Sequence, residues 1–203
     1  MIGDKILTNR NDYRRAKKIL KHILDKHKII ITIGGGSGTR KTELMEALQE
    51  LLYKKNKLSL GISLDDMYKI HFNFRNEERK AKGLKSVGIK EIDWSLVKNI
   101  IHRFKKGKKI YSQVINKYTN SIMLQEIDGR GIDYLIIEGL YANHLKKLKL
   151  SDFAIHLEGT PKDTLKFRLR RKKEDEKDEF RKKVVEKEYK EVLKLKKYAD
   201  YIL

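Results

Sequence analysis

The chain has 203 residues, of which 37% are charged, and its formal net charge is +20. It contains no cysteine, which excludes disulfides and thiolate metal sites. Its apolar runs are too short to span a bilayer and its beginning shows no signal peptide, so we expect a cytoplasmic protein without membrane contact.

The excess of positive charge has two interpretations. It can serve a polyanionic partner such as RNA. It can also be the lysine-rich, charge-mixed composition of a thermophile protein, with which a single proline agrees. The basic runs lack the interleaved aromatic residues of a nucleic-acid motif, which favours the second interpretation. Nucleic acid therefore stays open as a partner, but the sequence does not favour it.

The first predicted elements are a helix and a strand. Residues 11–27 form a basic amphipathic pattern, which predicts a helix that packs on a sheet. Residues 28–33 are an apolar, β-branched run that predicts a buried strand, and residues 41–54 predict the helix that follows it.

The turn between that strand and helix is rich in glycine and ends in Lys41-Thr42. Glycines let a backbone wrap an anion, and the N–H groups at a helix start favour negative charge. We expect the loop to bind ATP or GTP, with Lys41 reaching the β- and γ-phosphates and the Thr42 hydroxyl on Mg²⁺. The predicted nucleotide-binding residues are Gly34, Gly35, Gly36, Ser37, Gly38, Thr39, Arg40, Lys41 and Thr42.

Arg40 departs from the pattern G-x-x-x-x-G-K-[ST], which has glycine at that position. A side chain there is unfavourable if the backbone needs a positive φ or close ligand approach. It can instead add a cation beside the phosphates. If the loop wraps phosphate, Arg40 must point out of the cradle or supplement Lys41 from outside.

Acidic residues follow two further predicted strands. Residues 58–64 end at Asp65-Asp66, and residues 133–138 end at Glu138. Ligands of open α/β sheets bind beyond the carboxyl ends of strands. Phosphoryl transfer needs an acid at the Mg²⁺ site and a carboxylate beside the acceptor hydroxyl. We expect Glu138 and Asp65 in these roles, with Asp66 as the rival of Asp65, although an aspartate after a strand is also a common turn residue.

The rest of the chain alternates between helical and strand patterns, which predicts one α/β domain over residues 1–203. The further predicted helices are 74–82, a helix capped by Asp93 that runs to about Phe104, one starting at Thr160-Pro161, and a nearly continuous helical stretch over 166–197. The further predicted strands are a hairpin-like excursion at 109–117 and 121–127, a strand at 153–158 and an edge strand at 199–203.

Arginines near the end of the helix after Thr160 suggest a mobile lid over residues 166–185. Arg168 and Arg171 would then cover the phosphates on closure and offset the charge of the transferred group. The alternative is a solvated basic helix face with ion pairs between successive turns.

These motifs resemble those of the uridine kinase and phosphoribulokinase-like P-loop kinases over most of the chain. Besides the phosphate loop, Ser63-Leu-Asp65-Asp-Met-Tyr68 is similar to the family's S-x-D-x-F-Y, and Ile136-Ile-Glu138-Gly-Leu140 to its V-x-x-E-G-I. Arg168 to Arg171 stand where the family has lid arginines. A uridine-kinase-like subgroup also shares residues 86–94.

The resemblance implies a P-loop NTPase fold, a three-layer sandwich with a mainly parallel sheet, a small β excursion and a helical lid. It implies transfer of the γ-phosphoryl group of ATP or GTP, with Mg²⁺, to a small hydroxylated acceptor, with a nucleoside as the leading candidate. Asp65 would be the base beside the acceptor hydroxyl and Tyr68 would line the acceptor pocket. Tyr111 and Tyr118 are further aromatic residues available to stack a base.

The excursion departs from the family. The uridine kinases carry P-x-Y-D and T-H-S-R in the hairpin that holds the nucleoside, whereas residues 114–122 here read VINKYTNSI. We therefore expect weak or absent uridine phosphorylation. Two other classes stay open, an RNA-acting kinase or RNA-binding protein and a nucleotide-binding regulator without turnover. A homo-oligomer is also left open.

Overall fold

The structure is a computed structural model that describes residues 2–3, 6–24, 26–170 and 178–203. Its main sheet has five strands in the order β2-β5-β1-β6-β7, and every pairing between them is parallel. These strands are β1 (Ile29–Gly35), β2 (Ser59–Ser63), β5 (Tyr134–Glu138), β6 (Phe153–Leu157) and β7 (Tyr201–Ile202). A separate antiparallel pair is formed by β3 (Ile110–Asn116) and β4 (Ser121–Ile127). The expected parallel sheet and small β excursion are confirmed.

Helices connect the strands and flank the sheet. They are α1 (Arg10–Ile23), α2 (Lys41–Tyr53), α3 (Phe72–Lys82), α4 (Trp94–Lys105), α5 (His144–Lys147), α6 (Pro161–Arg170) and α7 (Glu179–Lys196). Short 3-10 turns lie at Leu64–Asp66, Leu84–Ser86 and Ile89–Glu91. No helix in the described part of the chain has the length and hydropathy of a membrane span.

Alternate residues of the central strands enter two separate cores. On β1, Ile31 and Ile33 pack with residues of α1 and α2, such as Ile19 and Leu48. The intervening Ile30 packs with residues of α4 and α7 on the other face. Because side chains alternate along a strand, a strand covered on both faces is buried throughout, as β1 is. The molecule therefore has the expected three layers.

The register of the sheet aligns the strand ends that matter for a site. Glu138, the last residue of β5, pairs with Ile33 of β1 and with Ser63, the last residue of β2. The glycine-rich loop leaves β1 two residues beyond Ile33. The loop, Ser63 and Glu138 consequently meet at one edge of the sheet.

Local signals fix most helix starts. The Asp93 carboxylate accepts hydrogen bonds from the N–H groups of Ser95 and Leu96, as expected of the cap of α4. The prediction of one helical stretch over 166–197 is wrong, because Asp178 caps a new helix by accepting from Arg181 N–H at 2.9 Å. Part of the predicted lid, residues 171–177, lies outside the described residues.

Candidate active site

The glycine-rich loop has the conformation of an anion cradle. Gly35 and Gly38 have φ values of +152° and +82°, which favour glycine. A Cβ at Gly35 would lie 2.6 Å from the carbonyl oxygen of Leu157, so no larger residue fits there. Lys41, the first residue of α2, is 9% exposed, and its Nζ donates to the Gly36 carbonyl at 2.8 Å. The lysine ammonium is thus held over the loop.

Arg40 has a left-handed backbone, with φ 68° and ψ 37°, which explains why related loops have glycine there. Its side chain leaves the cradle. Nε and Nη2 donate to the two carboxylate oxygens of Asp12 on α1, at 3.0 and 2.6 Å. Its guanidinium also lies 5.1 Å from the Phe167 ring centre on α6. Arg40 is therefore not placed as a cation inside the cradle. It instead connects the loop to helices α1 and α6.

The partner of Arg40 is an entirely buried carboxylate. Asp12 also accepts from the Asn9 N–H at 2.8 Å, which completes the cap of α1. The hydrogen bond to Asp12 raises the pKa of the Arg40 guanidinium. A left-handed residue other than glycine costs about 1–2 kcal/mol, whereas removing one partner of a buried ion pair costs about 3–5 kcal/mol. Replacing Arg40 by glycine would therefore cost more, through the unpaired Asp12 carboxylate, than it would regain by relief of the backbone strain.

Arg40→Gly should lower the free energy of unfolding by about 3 kcal/mol, because it leaves Asp12 buried without its cation. Nucleotide affinity should stay intact or improve, since the arginine lies outside the cradle. Adding Asp12→Asn to that variant removes the buried charge and should recover most of the stability. Denaturant unfolding and ATP titration of the two single variants and the double variant measure this. Loss of ATP binding without loss of stability would instead make Arg40 a ligand.

Glu138 forms the centre of the acidic part of the site. It is 4% exposed, and its Oε1 accepts from the hydroxyls of Ser63 at 2.7 Å and Thr42 at 3.2 Å. Burial raises the pKa of the Glu138 carboxyl, Lys41 opposes this shift and Asp65 adds to it. The sequence motif contains Ser63, but its contact with Glu138 follows only from the sheet register.

The oxygen atoms around Glu138 fit Mg²⁺. Mg²⁺ in phosphoryl-transfer sites is held by one or two carboxylates or hydroxyls, with substrate phosphates and waters completing its shell. Thr42 and Glu138 offer a hydroxyl and a carboxylate in contact with each other. Among residues 2–3, 6–24, 26–170 and 178–203, no group of three or more histidine or acidic residues is placed to hold a metal ion, so a metal cage made of side chains alone is not formed there.

The two neighbouring aspartates have different surroundings. Asp66 is 5% exposed, and its carboxylate accepts from the Ile115 N–H at 3.0 Å while its carbonyl accepts from the Gln113 amide. Burial raises the pKa of Asp66. This residue therefore anchors the β3–β4 hairpin. Asp65 is half-buried and lies close enough to Glu138 to raise the pKa of that carboxyl, and its assignment to the acceptor hydroxyl stays a prediction.

The predicted acceptor tyrosines occupy different places. Tyr68 is 8% exposed and follows Asp65 by one 3-10 turn. Tyr111 is at the base of the hairpin, with the Arg103 guanidinium 5.0 Å from its ring centre. Tyr118 is 81% exposed at the hairpin tip. The structure thus places Tyr68 beside Asp65, while a substrate role of Tyr111 and Tyr118 stays a prediction.

Arg168 lies against the phosphate loop. It is 6% exposed, and its Nη1 donates to the Pro161 carbonyl at 2.8 Å and to the Thr164 hydroxyl at 2.5 Å. Its Cγ is 3.0 Å from the place of a Cβ on Gly38. A role of Arg168 in covering phosphates stays a prediction, and Arg171 lies outside the described residues.

The chain is similar to known proteins along most of its length. The model of the phosphoribulokinase/uridine kinase family matches residues 30–200. A uridine kinase of Ureaplasma parvum is 28% identical over 139 residues, which are 68% of this chain and 65% of that protein. The bifunctional α-galactosidase/sucrose kinase AgaSK of Mediterraneibacter gnavus is 29% identical over 161 residues, which are 74% of this chain and 17% of that protein.

The matched segment therefore spans less than two thirds of the length of these two relatives. A solved structure also shares the fold. It is described as a possible uridine kinase from Bacillus stearothermophilus, and it aligns with a TM-score of 0.67 and 19% identity over 94% of this chain and 97% of that chain.

Proposed function

The chain belongs to the phosphoribulokinase/uridine kinase family, and from that premise we propose that it transfers the γ-phosphoryl group of ATP or GTP to a hydroxyl of a small molecule, with Mg²⁺. One observation carries this proposal. The glycine cradle with Lys41, the Thr42–Glu138 pair and Asp65 converge on one edge of the sheet. These are the parts that phosphoryl transfer requires, namely phosphate binding, metal binding and a carboxylate for the acceptor.

Each residue has a defined chemical task. Lys41 and the N–H groups of the loop would bind the phosphates and offset the charge that spreads over them during transfer. Thr42 and Glu138 would hold Mg²⁺, which would supply positive charge to neutralise the phosphates. Asp65 would orient the acceptor hydroxyl and take its proton as the oxygen attacks phosphorus. Arg168 would stay beside the loop as an additional cation.

The acceptor is the least defined part of the proposal. The relatives named above are a uridine kinase and a sucrose kinase, so hydroxyls of both nucleosides and sugars are candidates. A nucleoside leads on family resemblance, but residues 114–122 lack the signature that grips a pyrimidine. A site without those hydrogen bonds discriminates poorly between substrates. We therefore expect weak or absent turnover of uridine.

A panel of nucleosides, sugars and hydroxy acids with ATP labelled at the γ-phosphate tests the function. Transfer to one of these compounds is the expected result. Efficient turnover selective for uridine would show that the missing signature is dispensable. Labelling of structured RNA alone would favour the RNA-acting class, and ATP binding without any transfer would favour the regulator.

Glu138→Gln should raise the Mg²⁺ concentration needed for half-maximal transfer by about tenfold or more, because it removes a buried anionic ligand. ATP affinity without metal should change much less. The matched control is Glu158→Gln, since Glu158 follows strand β6 of the same sheet but is exposed and paired with Lys196. Equal Mg²⁺ requirements in wild type and Glu138→Gln would remove Glu138 from the metal site.

A further inference from the structure

Helix α3 presents two arginines on one face, one turn apart, in contrasting surroundings. Arg79 is 3% exposed, and its Nε and Nη2 donate to the two oxygens of Glu91 at 2.7 and 2.9 Å. Its Nη2 also lies 2.9 Å from Glu188. Arg79 is thus matched by two carboxylates and braces α3 against α7.

The Nε and Nη2 atoms of Arg75 have no such carboxylate partner in the described part of the chain. Its Nε and Nη2 are shielded from solvent, and neither has a hydrogen-bond partner within the part of the chain that the structure describes. Its guanidinium lies 3.5 Å from the centre of the Tyr68 ring, so it stacks on the ring next to Asp65. Buried donors without acceptors are unfavourable and rare in native proteins, so this pair requires an explanation.

Two further polar groups, one on the cap of α3 one turn before Arg75 and one in the core cluster of Tyr68, show the same deficit. His71, which caps α3, accepts from the Asn73 N–H through Nδ1 at 3.5 Å, and a neutral ring with this contact carries its hydrogen on Nε2. That Nε2 is shielded and has no hydrogen-bond partner among the described residues. Tyr141 is in the same core cluster as Tyr68. Its hydroxyl is also shielded from solvent and has no hydrogen-bond partner among the described residues.

We propose that the acceptor is an anionic hydroxy compound whose carboxylate or phosphate group is bound by Arg75, with the Nε2–H of His71 as a second donor. This inference rests on the proposed function, because it takes Asp65 and Tyr68 as the acceptor end of the site. Arginine offers two parallel N–H groups that match a carboxylate or a phosphate. The anion would supply acceptors for the donors that the protein leaves unpaired.

The same geometry disfavours a neutral nucleoside. A base needs a free aromatic face for stacking, and Arg75 already covers one face of Tyr68. A ligand without an anionic group would also offer weaker acceptors to the two shielded donors of the guanidinium. Tyr68 therefore stacks against Arg75, and we do not expect it to stack against a base.

The test compares acceptors that share a skeleton and differ in charge, namely glycerol with glycerate and glycerol 3-phosphate, and glucitol with gluconate, alongside uridine. We expect kcat/KM of the wild type to favour one anionic member over its neutral analogue by about 100-fold or more. Arg75→Gln should reduce that preference by about 100-fold, mainly through KM, and Arg75→Lys should restore part of it. Glycerate against glycerol 3-phosphate separates carboxylate from phosphate.

The matched control is Arg130→Gln, which removes an exposed arginine paired with Asp128 and should leave the preference unchanged. Preference for neutral acceptors, or a loss in Arg75→Gln that falls equally on neutral and anionic acceptors, would overturn the inference while leaving the kinase function in place. Thermal unfolding of the variants distinguishes a folding defect from a binding defect.

If no acceptor is phosphorylated, calorimetry of the full chain with glycerate and with inorganic phosphate still decides the inference. Binding that Arg75→Gln abolishes and Arg75→Lys partly restores would support the anion site, although the proposed kinase function would fail. Absence of Arg75-dependent binding would overturn both.

Discussion

Lys41→Ala should lower phosphoryl transfer by about 100-fold or more and weaken the affinity for ATP with Mg²⁺, because the ammonium that offsets phosphate charge is removed. The structure gives this residue its position, since Nζ is held over the loop by the Gly36 carbonyl and is almost fully enclosed. Charge in such an enclosed place interacts more strongly than charge in water. The effect should therefore be much larger than that of a surface lysine.

Lys54→Ala is the matched control. Lys54 follows the same helix α2, but its side chain is 62% exposed and pairs with Glu50 one turn earlier. Titration of ATP and Mg²⁺ followed by transfer assays should show wild-type values for this variant. If Lys41→Ala keeps both wild-type ATP affinity and wild-type turnover, the phosphate-loop assignment is wrong.

The parts of the site that sequence could predict are those with local signals. The run of β-branched residues in β1, the glycines after it and the Lys41-Thr42 pair lie within one short segment, so pattern and chemistry agree there. The position of Glu138 needs one further step. The rule that ligand-binding residues follow parallel strands predicts that Glu138 lies at the edge of the sheet near the loop. The pairing of Glu138 with Ser63 in the sheet confirms this position.

Other features depend on partners that are remote in sequence. The direction of the Arg40 side chain is set by Asp12, which lies on another helix 28 residues earlier. The polar character of predicted helix 74–82 gives no sign that Arg79 is neutralised and Arg75 is not, because the deciding carboxylates, Glu91 and Glu188, come from other segments. The helix start at Asp178 has no clear signal in the sequence, because charges spaced one turn apart continue on both sides of it.

Variants of Asp66 and Asp65 can be compared directly, because we expect a structural role for Asp66 and a catalytic role for Asp65. Asp66→Ala should lower the free energy of unfolding by about 1–3 kcal/mol, because the buried Ile115 N–H loses its acceptor. Asp66→Asn keeps an acceptor there and should be milder. Because burial raises the pKa of Asp66, its ionisation destabilises the fold as the pH rises through the acid range. Denaturant unfolding at a series of pH values should show that this loss is absent in Asp66→Asn.

Asp65→Asn should instead leave the stability near that of the wild type and lower kcat by about 100-fold or more, with a much smaller effect on nucleotide affinity. The reason is that its partner is the acceptor hydroxyl, whose proton a carboxylate can take and an amide cannot. Steady-state kinetics at saturating ATP, together with ATP titration, separate the two quantities. A large loss of kcat in Asp66→Asn and a purely structural defect in Asp65→Asn would show that the roles are reversed. In that case Asp66, which now holds the hairpin through Ile115, would have to release it to reach the acceptor.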